Sequence, residues 1–588
     1  MSIFSSVKSV AIKRTAFNLS HNVKMTGDMG RLMPCLCEPV LPNDTWRMKA
    51  DIALRMAPMM APVMHQVNAY FHSFYVPLRL CWDDSRKFFA PENSTSEPPV
   101  YPRALIHLSS AVGDDKVKQK LFGPGSLLDY LGFPTFAEGD PVFTDPLAVY
   151  ELDLLPLMAY YLVWKEYYRD QNLTGTESNP LPLGDIEKLP SGIFDIVTLS
   201  EPPSGTGDPD FFVPSLHVLR LLSLRYRCWE KDYFTSALPW PQKGPDVQLP
   251  LVGDADVVLS GQTTVNGSYT AASPSSVGGD VAWKPVAGST NMGTLVQGSG
   301  NVPISHVHEL KGIQGKVSGS DFDAATINEL RRAFAVQRWY EALARGGSRY
   351  IEVLKSMFGV TSSDARLQRP EFVGGQKVPI TITDVLQTSQ STTEGADSSP
   401  LGQMAGYGGT LSHAGKSKFF AEEHGYIITL LSVMPRSAYQ QGMPRKYSKY
   451  DRFDYAWPQF SHLGEQQVDN KEIYYDPIAG TSLNTDAVNN QEFGYQSRYS
   501  EYKHIPSTVH GDFKTSLNFW HLGRIFDKLP VLNQSFVEVR PEETNRIFSV
   551  DYVVDDDTKE QIPIDHLWIQ VNHKIKAIRA LPYYGTPR

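Results

Sequence analysis

Residues 424–465, HGYIITLLSVMPRSAYQQGMPRKYSKYDRFDYAWPQFSHLGE, decide how this chain folds. From Tyr426 to Met434 both alternating faces are apolar except at Thr429 and Ser432, which predicts a strand covered on both sides. The next segment differs. Between 439 and 460 stand seven rings in a stretch full of Gly, Pro, Arg and Lys. They keep neither a helical nor a strand period, so no single face of a fold can bury them all. An irregular arm rich in Tyr, Trp and Arg has the composition of a surface that meets other chains. Tyr439, Arg445, Tyr447, Tyr450, Phe453, Tyr455, Trp457 and Phe460 are therefore the expected inter-subunit contacts.

The rest of the chain fits a body that could carry such an arm. Of 588 residues 41% are hydrophobic and 20% charged, as in a soluble globular protein, while 42 Pro and 44 Gly favour frequent turns over long helices. That points to a mainly β body with long loops. Four cysteines (Cys35, Cys37, Cys81 and Cys228) are too few for a disulfide scaffold of this size, and no signal peptide precedes the basic N-terminus. Reduced thiols in a cytosol are expected, so the Asn-x-Ser/Thr triplets at Asn93, Asn172 and Asn266 carry little meaning. No apolar run approaches the roughly 20 residues that span a bilayer, so no membrane insertion is expected.

Net charge is −9, yet both ends are basic. Residues 1–27 hold Lys8, Lys13, Arg14 and Lys24 without an acid, and residues 566–588 hold Lys574, Lys576, Arg579 and Arg588, again without one. Non-specific binding of a single strand needs cations for phosphate and rings for base stacking. Lys8, Lys13, Arg14, Trp568, Lys574, Lys576 and Arg579 are the candidates.

Along the chain, residues 1–62 read as an extended Pro- and Met-rich arm, because MKADIALRMAPMMAPVM keeps no clean period across its prolines. Val67 onward alternates as a strand. Leu154, Leu157, Met158 and Tyr161 predict a helix within 147–169. Residues 246–320 turn Gly-, Ser-, Thr- and Val-rich with sparse charge, as in an inserted excursion. A capping box at Thr326-Ile327-Asn328-Glu329 opens a helix that Gly346-Gly347 ends, and a second helical pattern stops at Gly359. Val378, Ile380 and Ile382 alternate as a strand. Residues 386–418 read as a loop, and Leu567, Ile569, Val571 and Ile575 line one side of a final strand whose other side carries Trp568, Lys574 and Lys576. Residues 63–245 and 321–588 would share the strands of one body.

No catalytic, cofactor or metal site emerges. Gly409 to Ser417 imitates a phosphate-binding loop but has five residues between its glycines instead of four. His306-Val307-His308-Glu309 lacks a further ligand nearby, Cys35 and Cys37 lack a partner pair, and Asp555-Asp556-Asp557 reads as a solvated turn.

Several blocks resemble the major capsid protein of the Microviridae, gokushoviruses above all. They are LSHNVKMTGDMGRLMPC from Leu19, VNAYFHSFYVPLRLCWDD from Val67, YYRDQN from Tyr167, FGVTSSDARLQRPEFVGG from Phe358, QMAGYGG from Gln403, and the 424–465 stretch itself. The resemblance implies an eight-stranded viral jelly roll with long inserted loops and a few short helices. It also implies a homo-oligomeric T=1 icosahedral shell around circular single-stranded DNA, assembled in a host bacterium's cytoplasm. In this family the 246–320 insertion forms threefold protrusions assigned to host attachment. Implied partners are an internal scaffolding protein, a pilot protein, a small DNA-binding protein, the genome and a host surface receptor. Two rivals remain from the residues alone. A carbohydrate-binding or carbohydrate-active β-sandwich would want a secretion signal and a carboxylate-paired cleft. A standalone nucleic-acid binder would be basic overall.

Overall fold

The computed structural model describes residues 14–583 apart from 91–97, 112–114, 138, 174–187, 197–220, 246, 248–256, 261–280, 286–292, 298–313, 318–326, 347–348, 360, 362, 387, 389–403, 414, 478–485, 551 and 555–560. It divides into two compact units, residues 1–243 with 341–588, and residues 244–340.

The first unit is built on ten antiparallel strands: β1 (Thr15–Asn18), β2 (His21–Gly27), β3 (Met33–Val40), β4 (Thr45–Met56), β5 (Val67–Pro77), β6 (Glu371–Leu386), β7 (Met404–His413), β8 (Ser417–Phe420), β9 (Gly425–Pro435) and β10 (Leu567–Arg579). They form one curled sheet, ordered β1-β10-β4-β7-β6-β5-β9-β3, with β2 also on β10 and β8 also on β4. Strand β6 makes the turn between two layers: Glu371 to Ile380 pair with β5, and Thr381 to Leu386 pair with β7. One layer is therefore β6-β5-β9-β3, and the other holds β10, β4, β7 and their short partners. This mainly β, curled sheet is compatible with a jelly roll.

Apolar side chains from the two layers meet between them. Ile52, Leu54 and Met56 of β4 and Ile569 and Val571 of β10 pack with Val67, Ala69 and Phe71 of β5 and Leu431 and Val433 of β9. On the far side of β9, Ile428 and Leu430 join Phe74 and Val76 against a second apolar cluster. That cluster is headed by helix α1 (Leu154–Val163), which is capped by Asp153 and buried almost all round. Strand β9 is thus covered on both faces, as its sequence predicts. Its two polar residues are answered internally: Thr429 Oγ1 lies 2.9 Å from Ser73 Oγ, and Ser432 Oγ accepts from Arg227 at 2.9 Å.

Helices α2 (Ile327–Gly346) and α3 (Tyr350–Phe358) end where expected, with Gly359 in the left-handed region at φ 67°. The 147–169 helix is shorter than expected, giving way to a π turn at Trp164–Tyr168. The second unit contains the whole 246–320 segment, where Val257–Ser260 pairs with Gln314–Val317 and Val281–Pro285 with Gly293–Gln297.

Two expectations are corrected. Residues 15–56 are no free arm: they form β1 to β4, and β4 sits at the centre of its layer between β10 and β7. Trp46, Met48, Ala50, Ile52, Leu54 and Met56 do alternate inward, a period blurred by reading on through Pro58 and Pro62. Residues 386–418 hold strands β7 and part of β8, so the glycines from 406 to 409 are strand residues. A Cβ at Gly406 would stand 2.4 Å from Ala61 O, and one at Gly408 would stand 2.6 Å from Met56 Sδ. These glycines allow close approach of neighbouring chain.

Thr429→Val should cost about 1–3 kcal/mol in denaturant unfolding, because it orphans the buried Ser73 hydroxyl. The double change with Ser73→Ala should recover most of that loss.

His573, on β10, donates from Nε2 to Cys35 O of β3 at 3.0 Å, tying the two layers together through the core. Burial, aided by nearby His21, pushes its pKa down to about 4. The fold therefore holds His573 neutral. Its contribution is complete above the ordinary histidine value near 6.5 and is lost as pH falls from there towards 4, on the order of 3 kcal/mol. The thermal midpoint of isolated subunits should drop across that window, and more shallowly in His573→Gln, which keeps a donor without the titration.

Candidate assembly arm and nucleic-acid face

Past Pro435 the chain leaves β9 and becomes the ring-rich arm, and its first contact is inward. Tyr439 is buried, stacks edge-on against Phe234 at 4.7 Å and donates its hydroxyl to Asp232 at 2.8 Å. Arg445 likewise turns in, to Glu472 at 3.1 Å and Gln467 O at 2.5 Å. Sequence composition gave these two the same standing as the other rings, but the fold uses them to root the arm.

Beyond Arg445 the rings face out. Tyr450 is 84% exposed, Tyr447 65%, and Phe453, Tyr455 and Trp457 about half, with Phe460 partly covered. Exposure here does not mean looseness. Three 3-10 turns (Arg445–Tyr447, Arg452–Asp454 and Pro458–Phe460) shape the segment. The Asp454 carboxylate accepts the backbone N–H of Asp451 at 2.8 Å and of Tyr450 at 2.9 Å, and these bonds lower its pKa. Trp457 Nε1 donates to Arg452 O at 2.8 Å. Lys449 is buried against Glu501 at 3.3 Å, its Nζ 3.8 Å from the Tyr502 ring centroid. Rings held in place beforehand lose less entropy when a partner covers them.

A second surface lies on the outward side of the β10 layer. Trp568, Lys574 and Lys576 are exposed there, as the alternation of β10 requires. The register sets cations opposite cations: Lys574 faces Lys49, and Lys576 faces Arg47, which also faces Lys418 of β8. Lys24 of β2 stands opposite Gln570, and Arg55 opposite Trp568. Among β2, β4, β8 and β10 the only carboxylate is Asp51. It is ion-paired to Lys574 and bonded to His413 Nδ1 at 2.7 Å, and these hydrogen bonds hold its pKa low. Like charges directly opposite one another weaken a sheet, so this arrangement favours a polyanion laid across it.

Two predicted cations belong elsewhere. Arg14 donates to Asn43 O at 2.6 Å and Thr45 Oγ1 at 2.7 Å. Arg579 is held by buried Asp44 at 2.9 Å and lies over Trp46 at 5.3 Å. Both bind the chain's ends to the β3–β4 turn. Lys8, Lys13, the 306–309 histidines and the 555–557 acids lie outside the described residues. The phosphate-loop imitation is strand: Gly409 to His413 pair with β4. Sequence reading noted Lys24 only as part of the basic N-terminal stretch and missed Arg47, Lys49 and Lys418, although the alternation of β4 would have exposed the first two of these.

A family model described as Capsid protein (F protein) matches residues 5–588. The chain belongs to this phage capsid protein family. It is 35% identical over 584 residues to capsid protein VP1 of Chlamydia phage 1, covering 91% of each chain. Identity is 33% over 597 residues to VP1 of Bdellovibrio phage phiMH2K, and 27% over 601 residues to VP1 of Spiroplasma virus 4, with 99% of this chain and 97% of the relative covered in both. The Microviridae resemblance, gokushovirus-like, is thereby established. This capsid protein is a structural component of the virion that assembles with copies of itself, and not an enzyme. No helix among the described residues is long and apolar enough to cross a membrane.

Proposed function

We propose that this capsid protein is the tile of a T=1 icosahedral shell around circular single-stranded DNA, with the 446–460 rings seated on neighbouring copies. The observation that carries the reading is the arm itself: five large rings about half to four-fifths exposed on a backbone fixed by its own hydrogen bonds. A solitary globule has no use for such a surface, whereas an interface anchored by Tyr, Trp and Arg does. The basic face of β10, β4 and β8 turns inward onto the strand, with Trp568 as a stacking platform. Contacts are to phosphate and ring, and so independent of base sequence. Residues 246–320 project outward and take part in host attachment through a surface receptor. Assembly proceeds in the host cytoplasm with an internal scaffolding protein, a pilot protein and a small DNA-binding protein as partners.

Deleting residues 447–460 while keeping Tyr439 and Arg445 should leave folded subunits that no longer form particles by sedimentation and electron microscopy. Intact shells from that variant would refute the assembly role. Charge reversal at Lys49, Lys574 and Lys576 should lower genome content per particle. It should also flatten the salt dependence of oligonucleotide binding, by about 0.7 in log–log slope for each phosphate that is no longer neutralised. Unaltered slope and content would remove the face from DNA binding.

A further inference from the structure

On the helix-covered side of the β6-β5-β9-β3 layer lies a cleft of about 870 Å³, apart from both surfaces described above. That size is typical of small-molecule sites. One wall is made of packed rings: Phe74 stands 5.5 Å from Phe372 and 4.7 Å from Tyr167, and His72 stands 5.9 Å from Phe372 and 6.1 Å from Tyr168. Tyr167 and Tyr168 close the π turn after α1, an irregularity that presents both rings to the cleft region.

Five cationic side chains line the cleft against three carboxylates, and one of the five, Arg345, pairs with Glu465 beyond it. Each carboxylate is already answered within the chain: Asp170 by Lys231, Glu230 by Lys377 at 2.7 Å, and Glu352 by Arg349 at 3.2 Å. Arg227 makes no ion pair among the described residues, although the Glu230 carboxylate, already bonded to Lys377, acts on it at longer range. Its guanidinium donates to Ser432 Oγ and lies 3.9 Å over Tyr70 and 5.5 Å from the Tyr168 centroid. Buried cations ordinarily find an anion. Trp229, 3% exposed, lines the same cleft, and its indole N–H has no acceptor among the described residues. The cleft thus offers an aromatic wall of edge-to-face rings, with Phe372 half exposed, and a cation without an ion pair.

We infer that this cleft binds a nucleoside monophosphate unit, its base against the Phe372–His72 wall and its phosphate at Arg227. A heteroaromatic base supplies a planar face for the exposed Phe372 ring, and the phosphate supplies charge-assisted bonds to Arg227. The unit is either a free nucleotide or one residue of a DNA strand. The cleft shares no residue with the basic sheet face, so the two readings fail independently.

The test is titration of the full-length, DNA-free chain with dAMP, dTMP, inorganic phosphate and a short dT oligonucleotide, read by calorimetry. Saturable nucleotide binding is expected, at least tenfold tighter than phosphate alone. It should weaken about tenfold or more in Arg227→Gln and several-fold in Phe372→Ala. Phe372 is half exposed, so its variant keeps the fold and decides the matter if Arg227→Gln does not. Oligonucleotide binding that depends on Phe372 or Arg227, with no mononucleotide binding, supports the site and names the strand as its source. No saturable binding at millimolar ligand, or binding that survives both cleft variants, overturns it.

Discussion

Strand β9 is the member on which everything else rests. Its inner face, with Leu431 and Val433, seals the space between the two layers. Its outer face, with Ile428 and Leu430, seats the helical layer around α1. A strand buried on both faces removes apolar area from water on two sides where a half-solvated strand does so on one, and area removed from water is the main favourable term in folding. The two hydroxyls it carries are tolerated only because Ser73 and Arg227 meet them.

The arm inherits its rigidity from that strand. It leaves β9 at Pro435 and is pinned at once by Tyr439 and Arg445, so the exposed rings beyond start from a fixed point. Core strand and exposed ring-rich arm are continuous in sequence here, within one segment of some forty residues. The same double use appears on β10, whose inward residues close the core while its outward residues carry Trp568, Lys574 and Lys576. A period of two lets a single strand serve two environments.

Cross-strand register explains why the basic face is stronger than its sequence suggests. The cations of residues 24, 47, 49, 418, 574 and 576 come from four distant segments, and none is a conspicuous cluster alone. Antiparallel pairing stacks them into rows. In a chain with net charge −9, this is a local reversal of sign confined to one surface.

By itself the sequence determined the buried strand at 426–434, the two helices that end at Gly346 and Gly359, the alternation of β6 and β10, and the aromatic excess of the arm. Each is a local period or a local cap, set by side-chain geometry within one element. Tertiary structure decided the rest. It put β4 at the centre of a layer where the proline-rich continuation had suggested an arm. It made a strand of the glycines from 406 to 409, where the Ala61 carbonyl comes too close to Gly406 for a side chain. It separated Tyr439 and Arg445 from the outward rings, and Arg14 and Arg579 from the cations on the outward face of β10. Those outcomes depend on which distant groups arrive beside a residue, and the residue's own neighbours in sequence carry no record of that.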